Sequence, residues 1–271
     1  MKSSKYLGTL LWKYYKGRDH PFKLRIFFAF NRFLDAIGCR ITIPYHHNQL
    51  LSVSLSDYVD RTIFLKGVYE EEIYEALTKF SITDEVLWDI GGHIGSFAIK
   101  ALADPNIKQV YAFEPNPGTF KVLTKNKRLN DNQDRLKIYN FGLGENKTNT
   151  PYLSVKSGNS GGGRFLDGDN ENTMMLPIDT MDNLVFNMEL RPPTLIKIDV
   201  EGFEVNVFRG AKKTFDYYPP KAIIFESETI NGQLKSKEIR DFFEHYRYNL
   251  TMVECKDEQG GPYTNFLAVK D

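Results

Sequence analysis

From residue 84 onward, short β-rich runs alternate with helical stretches, a pattern that points to a parallel sheet covered on both faces. The strand candidates are 86–90, 109–114 (QVYAFE), 136–141 (LKIYNF), 194–200 (TLIKIDV), 221–226 (KAIIFE), 250–255 and 265–269. Helix candidates lie between them at 96–103, 117–130, 204–215 and 235–247. The last two strands are separated only by KDEQGGPYT (256–264), too little for a helical crossover, so they are expected to pair antiparallel as a terminal hairpin. The expected fold is therefore α/β, a mostly parallel, doubly wound sheet with a C-terminal antiparallel hairpin. Residues 144–175 differ: GNSGGGR (158–164) sits in a polar stretch with few core candidates, read here as a mobile loop or lid and not a second domain.

With 271 residues and 41% hydrophobic content, the chain can bury one large core. Thirty-five basic against thirty-five acidic residues leave no net field, which argues against a partner recognised through many phosphates, such as duplex nucleic acid. The balance hides an asymmetry: residues 1–40 hold nine Lys/Arg against Asp19 and Asp35, a net +7 interleaved with aromatics. Two readings stand for this segment. One is helices that pack an aromatic stripe on the main domain. The other is peripheral contact with an anionic membrane surface, or steering of an anionic substrate. The segment 1–60 is expected to be a basic, aromatic, helical extension, with the main domain at 61–271. Cys39 and Cys255 form no metal or disulfide spacing, no apolar run approaches the ~18 residues that cross a bilayer, and no signal-peptide pattern opens the chain. The cytoplasm is the expected compartment, with association to a membrane through residues 1–40 as the variant.

The stretch VLWDIGGHIGSF (86–97) ends an apolar run in an acid and follows it with three glycines. A glycine turn after the first strand of an open α/β sheet lets the backbone approach a ligand closely. The dinucleotide fingerprint fails, because positions 91, 93 and 96 read Gly, His, Ser, and no Gly-Lys-Ser/Thr follows to make a P-loop. What remains is Asp89, Gly91, Gly92 and Gly95, with Glu114 ending the next strand, where an acid is placed to accept hydrogen bonds from a ribose diol. That pair fits a nucleoside without phosphate, hence S-adenosylmethionine. A tight structural turn is the alternative for the glycines.

AFEPNP (112–117), LIKIDVEGFE (195–204), RGA (209–211) and GVYEEE (67–72) together resemble the FkbM family of S-adenosylmethionine-dependent methyltransferases, over about residues 60–230. The resemblance implies a Rossmann-like class I methyltransferase fold and O-methylation, commonly of sugars or of hydroxyls on secondary metabolites. His93 departs from the family, which commonly carries Gly-Ala-Asn-Ile-Gly at this turn. The resemblance also places Tyr69 and Glu70 in a wall of the active site.

Methyl transfer from a sulfonium is an in-line displacement, so holding the acceptor behind the methyl carbon in a dry pocket is most of the catalysis. A hydroxyl acceptor must also lose its proton, to a carboxylate or His, or with a divalent cation that lowers its pKa. Asp199, Glu201 and Glu226 leave neighbouring strands at the rim that holds Gly91 and Glu114. They read as a base, a metal-binding cluster or a grip on substrate hydroxyls. Strand alternation lets Asp199 and Glu201 share a face, with Asp199 also near the cofactor. His93 is a candidate for proton transfer or cofactor contact. Asn116 is expected to orient Glu114 or touch the cofactor, and Gly142 to mark the adenine edge. Asn159, Ser160 and Arg164 on the 144–175 segment are candidates for the acceptor. The expected acceptor is a small-molecule or glycan hydroxyl. The alternatives are methylation of a protein or nucleic acid, a non-catalytic nucleoside-binding module, and a dinucleotide dehydrogenase.

Overall fold

A computed structural model describes residues 10–17, 21–36, 38–131, 133–155, 158, 160–166, 168, 173–254 and 263–271. Helices α1 (residues 10–16) and α2 (Lys23–Ala36) open the described chain, followed by the hairpin β1 (Ile41–Tyr45) and β2 (Gln49–Val53). Helices α3 (Tyr58–Lys66) and α4 (Glu71–Thr78) lead into β3 (Glu85–Ile90), α5 (Ser96–Ala101), β4 (Ile107–Phe113), α6 (Pro117–Arg128) and β5 (Leu136–Tyr139). A smaller unit then intervenes: β6 (Gly142–Leu143), β7 (Thr148–Leu153), β8 (Arg164–Phe165) and β9 (Thr173–Asp179). The chain returns through α7 (Met181–Phe186), β10 (Leu195–Ile198), α8 (Glu204–Arg209), α9 (Lys212–Tyr217), β11 (Ala222–Ile230), β12 (Gln233–Leu234), α10 (Lys237–His245), β13 (Tyr248–Val253) and β14 (Tyr263–Lys270).

The main sheet runs β13-β14-β11-β10-β3-β4-β5, with β11, β10, β3, β4 and β5 parallel and β14 antiparallel to both of its neighbours. The expected terminal hairpin is present. Alternation sorts the strands into two cores. Leu87, Val110, Leu195 and Ile224 face one layer, under α3 to α6 and the β1–β2 hairpin; Trp88, Phe113, Ile198 and Phe225 face the other, under α7 to α10. Among the described residues no helix is long and apolar enough to cross a membrane.

Three expectations need correction. Residues 41–53, placed within a helical extension, form a hairpin whose Ile41, Ile43, Leu51 and Val53 are buried in the same core as Leu87 and Ala98. The β-branched Ile41, Thr42 and Ile43 suit a strand, and all three are buried. The segment 144–175 is not a bare loop: β6 to β9 make a four-stranded sheet with its own small core of Tyr152, Phe165, Leu176, Ile178 and Phe203. The helix expected over 204–215 is two, broken at Gly210, where a Cβ would collide with the Gly144 carbonyl oxygen.

Candidate active site

The parallel strands end on one rim, and the neighbours β3 and β10 send their connections to opposite faces, which opens a cleft between them. The glycine bend fits that crossing. Gly91 has φ +86°, and a Cβ there would collide with the Asp199 carbonyl oxygen, so the absent side chain lets two strand ends pass in contact. The Gly91 and Gly92 N–H groups both donate to the Phe113 carbonyl, at 3.0 and 2.9 Å, so these two amides are committed within the protein. Gly95, with φ +87°, packs on Leu123 and starts α5; it does not line the cleft.

The cleft and the open solvent at its mouth together span about 1000 Å³. Its floor is made of Ile90, Gly91, Gly92, Phe113 and Leu143, and its walls carry Tyr69, Glu70, His93, Glu114, Gly142, Lys197, Asp199 and Glu201. Glu114 is 6% exposed and held by two backbone donors: the His93 N–H gives to Oε2 at 2.9 Å and the Asn116 N–H to Oε1 at 2.8 Å. Burial pushes its pKa up to about 7. Each oxygen keeps a second lone pair, the capacity a ribose diol requires. Asn116 orients Glu114 through its backbone, whereas its side chain accepts from Gly118 and Thr119 as the cap of α6, and it does not line the cleft.

Asp89 is fully buried and absent from the lining. Neither of its carboxylate oxygens has a hydrogen-bond partner, and the Ala98 amide offers only a contact outside normal geometry. Burial raises its pKa to about 6 against the pull of Lys197, its register partner on β10. An unanswered acid sealed beneath the bend is costly unless a positive charge completes it.

Lys197 supplies part of that charge, and the sequence reading missed it. Its ammonium lies 3.0 Å from Asp199 Oδ2 and 3.4 Å from Glu70 Oε2, and 5.5 Å from the Phe97 ring centroid. Burial opposes the charge, but Asp199, Glu70 and Asp89 together hold its pKa well above the ordinary value. Glu70, at the left-handed start of α4 (φ +54°), is pushed up to about 7 by burial, with Lys197 pulling the other way. The available signal was a lysine at an inward position of the apolar run LIKIDV.

Glu201 does not continue strand alternation: β10 ends at Ile198, and Glu201 turns left-handed with φ +55°. Its carboxyl is nevertheless brought beside Asp199, and burial lifts its pKa to about 7. Glu226 lies within β11 and does not line the cleft, but carboxylate oxygens of Asp199, Glu201 and Glu226 lie within 4.8 Å of one another, a spacing a divalent cation or shared protons can occupy.

His93 takes φ +47°, and burial lowers its pKa to about 4, so its ring is neutral at physiological pH. Its Nε2 lies 2.6 Å from Ser160 Oγ, on the 3₁₀ turn Ser160–Gly162 that crosses the cleft. The Ser160 N–H donates to Asp57 Oδ2 at 2.6 Å, tying this turn to the cap of α3. Arg164 lines the mouth, and Gly142 meets the Phe165 ring so closely that a Cβ would strike it. Asn159 lies outside the described residues.

The strand order, the bend and the acid at the end of β4 make the Rossmann-like fold of class I methyltransferases. The methyltransferase FkbM domain matches residues 89–250, and the chain belongs to that family. It is 31% identical over 145 residues to the hexuronic acid methyltransferase AglP of Haloferax volcanii, covering 52% of this chain and 56% of that protein, so the match spans little more than half of the relative's length. It also resembles the crystal structure of methyltransferase FkbM from Methylobacillus flagellatus KT, with a TM-score of 0.50, 17% identity, and coverage of 79% of this chain and 55% of that one.

Proposed function

We propose that this methyltransferase acts on a hydroxyl of a sugar, glycan or glycosylated metabolite, with Asp199 as the proton acceptor. The observation that carries the reading is the placement of Asp199: at the rim beside the bend, with Oδ2 tied to Lys197, it leaves Oδ1 to take a proton. S-adenosylmethionine, when bound, supplies a methyl group on a positively charged sulfur. Glu114 would receive the ribose hydroxyls, Gly142 and Leu143 would border the adenine, and Asp89 would oppose the positive charge from beneath the bend. Lys197 and Glu70 fix the orientation of Asp199, while Tyr69 and the neutral His93 keep water from the reacting centre. Ser160 and Arg164 at the mouth, with Glu201, would hold the acceptor's hydroxyls. These residues fall within 61–271, the segment we read as the methyltransferase unit. The name of the Haloferax relative supports a sugar acceptor, and its hexuronic acid makes Arg164 a suitable partner for a carboxylate. No step here is carried through a cation.

The test is methyl transfer to free uronic acids and neutral hexosides by the wild type and by Asp199→Asn. Turnover is expected to fall about 10²–10⁴-fold with S-adenosylhomocysteine affinity retained. Full activity of Asp199→Asn would remove it from the mechanism, and methylation of a protein or nucleic acid in place of every sugar would overturn the acceptor. A chelator sorts the three acids: loss of activity restored by magnesium assigns them a cation, and unchanged activity leaves them to protons and hydroxyls.

A further inference from the structure

The N-terminal helices leave an apolar stripe uncovered. In α2 the Leu34 side chain is buried in the main core and Phe30 is half-buried against it. Ile26 and Phe33 are instead 50% and 58% exposed, Ala29 and Ala36 are exposed with them, and Phe22, just before the helix, is 58% exposed. Steps of three and four residues keep this set on one side of the helix. At about 100° per residue, Arg25 and Arg32 fall along the edge of the stripe away from Leu34, and both are exposed. In α1 the arrangement repeats on a smaller scale: Leu11 is buried, while Leu10, 65% exposed, neighbours the exposed Lys13.

Charge decides the occupant. The described charges beside the stripe, Arg25, Arg32 and Lys13, are all basic and exposed, so a second copy docked on this face would bring like charge against like. A phosphate backbone would use the arginines but leave the apolar stripe wet. A surface that is anionic outside and apolar beneath uses both, and α2 has the dimensions to lie in its plane without spanning it. We infer that α2 docks flat on an anionic lipid bilayer, with Ile26 and Phe33 entering the headgroup boundary and Arg25 and Arg32 at the lipid phosphates. This inference is independent of the acceptor.

Deleting residues 1–40 would be a poor test, because Leu11 and Leu34 belong to the core. Surface substitutions in the full chain avoid that: Ile26→Ser with Phe33→Ser, and separately Arg25→Gln with Arg32→Gln, each checked for an unchanged thermal melt. Flotation is measured with phosphatidylcholine vesicles and with vesicles containing roughly a third phosphatidylglycerol. The wild type is expected to float with the anionic vesicles alone, and less so as salt rises. The serine pair is expected to lower the bound fraction about tenfold or more, and the glutamine pair to abolish the preference for anionic lipid. The proposal is overturned if the wild type stays with the soluble fraction, or if the serine pair floats as well as the wild type. It is equally overturned if that pair converts a dimer to a monomer without changing flotation.

Discussion

Strand β3 carries a buried acid at each end, and the two are treated differently. At the amino end, Glu85 is fully buried and answered on one oxygen: Oε1 accepts from the Lys221 ammonium at 2.5 Å and from the Ile82 N–H at 3.0 Å, while Oε2 has no hydrogen-bond partner. Burial works against its charge, yet bonds from Lys221, Thr194 and Ile82 outweigh it and hold its pKa below the ordinary value. Four residues on, Asp89 is equally buried, both its oxygens lack a hydrogen-bond partner, and its pKa is driven up to about 6. Around it Glu70, Glu114 and Glu201 are all lifted to about 7 by burial, with Lys197 the cation in their midst. At one end the chain itself brings an ammonium and a backbone donor to the acid. The other is left short of positive charge and hydrogen-bond donors, which a sulfonium and a ribose diol can bring.

The largest break in this comparison is expected from Lys197→Met, which leaves Asp89, Glu70 and Asp199 facing one another. It should cost about 3–5 kcal/mol at pH 8 by urea unfolding, and less at pH 6, where Glu70 and Asp89 can each hold a proton. An equal loss at both pH values would contradict the electrostatic account. Next is Glu114→Gln, expected to weaken S-adenosylhomocysteine binding by about 1.5–3 kcal/mol, roughly ten- to 150-fold by calorimetry. Unchanged affinity would remove Glu114 from the ribose site.

A smaller effect concerns pH and runs opposite to the usual carboxylate. Glu70, Glu114, Glu201 and Glu204 have raised folded-state pKa values near 7, so between 4.5 and 7 the folded chain binds more protons than the unfolded one. Stability of the ligand-free protein is therefore expected to fall by about 1–3 kcal/mol from pH 6.5 to 8. His93, depressed to about 4, costs stability only below its unfolded value of 6.5, and Lys197 stays charged throughout. Stability that is flat or rising over that window would show the acids are better satisfied than their surroundings indicate.

Much of the main sheet was legible because its strands are apolar on both faces and alternate with stretches of helical length, whereas the caps Asn116 and Ser236 went unread. The β6–β9 sheet was not, since Pro151 and Pro177 stand inside its strands and its core uses only a handful of side chains. The hairpin at 41–53 was hidden by the aromatic, basic run before it. In the site, the glycines and Glu114 announced themselves by type and spacing, whereas Lys197 did so only through its inward position between Ile196 and Ile198. Asp57 carried no such signal: its link to Ser160 joins residues 103 apart, visible only once the chain has folded.

The account rests on the carboxyl end of β3 being left unsatisfied for a ligand, and paired neutral substitutions at its two ends test that most directly. Urea unfolding at pH 8 is measured for Glu85→Gln and Asp89→Asn, with and without S-adenosylhomocysteine and with S-adenosylmethionine binding followed by calorimetry. Glu85→Gln should destabilise the free protein by about 1–3 kcal/mol. Asp89→Asn should stabilise it by about 1–3 kcal/mol while weakening the sulfonium ligand more than its neutral sulfur counterpart. If Asp89→Asn also destabilises the free protein and binds both ligands as the wild type does, the two ends of the strand are alike and the account is wrong.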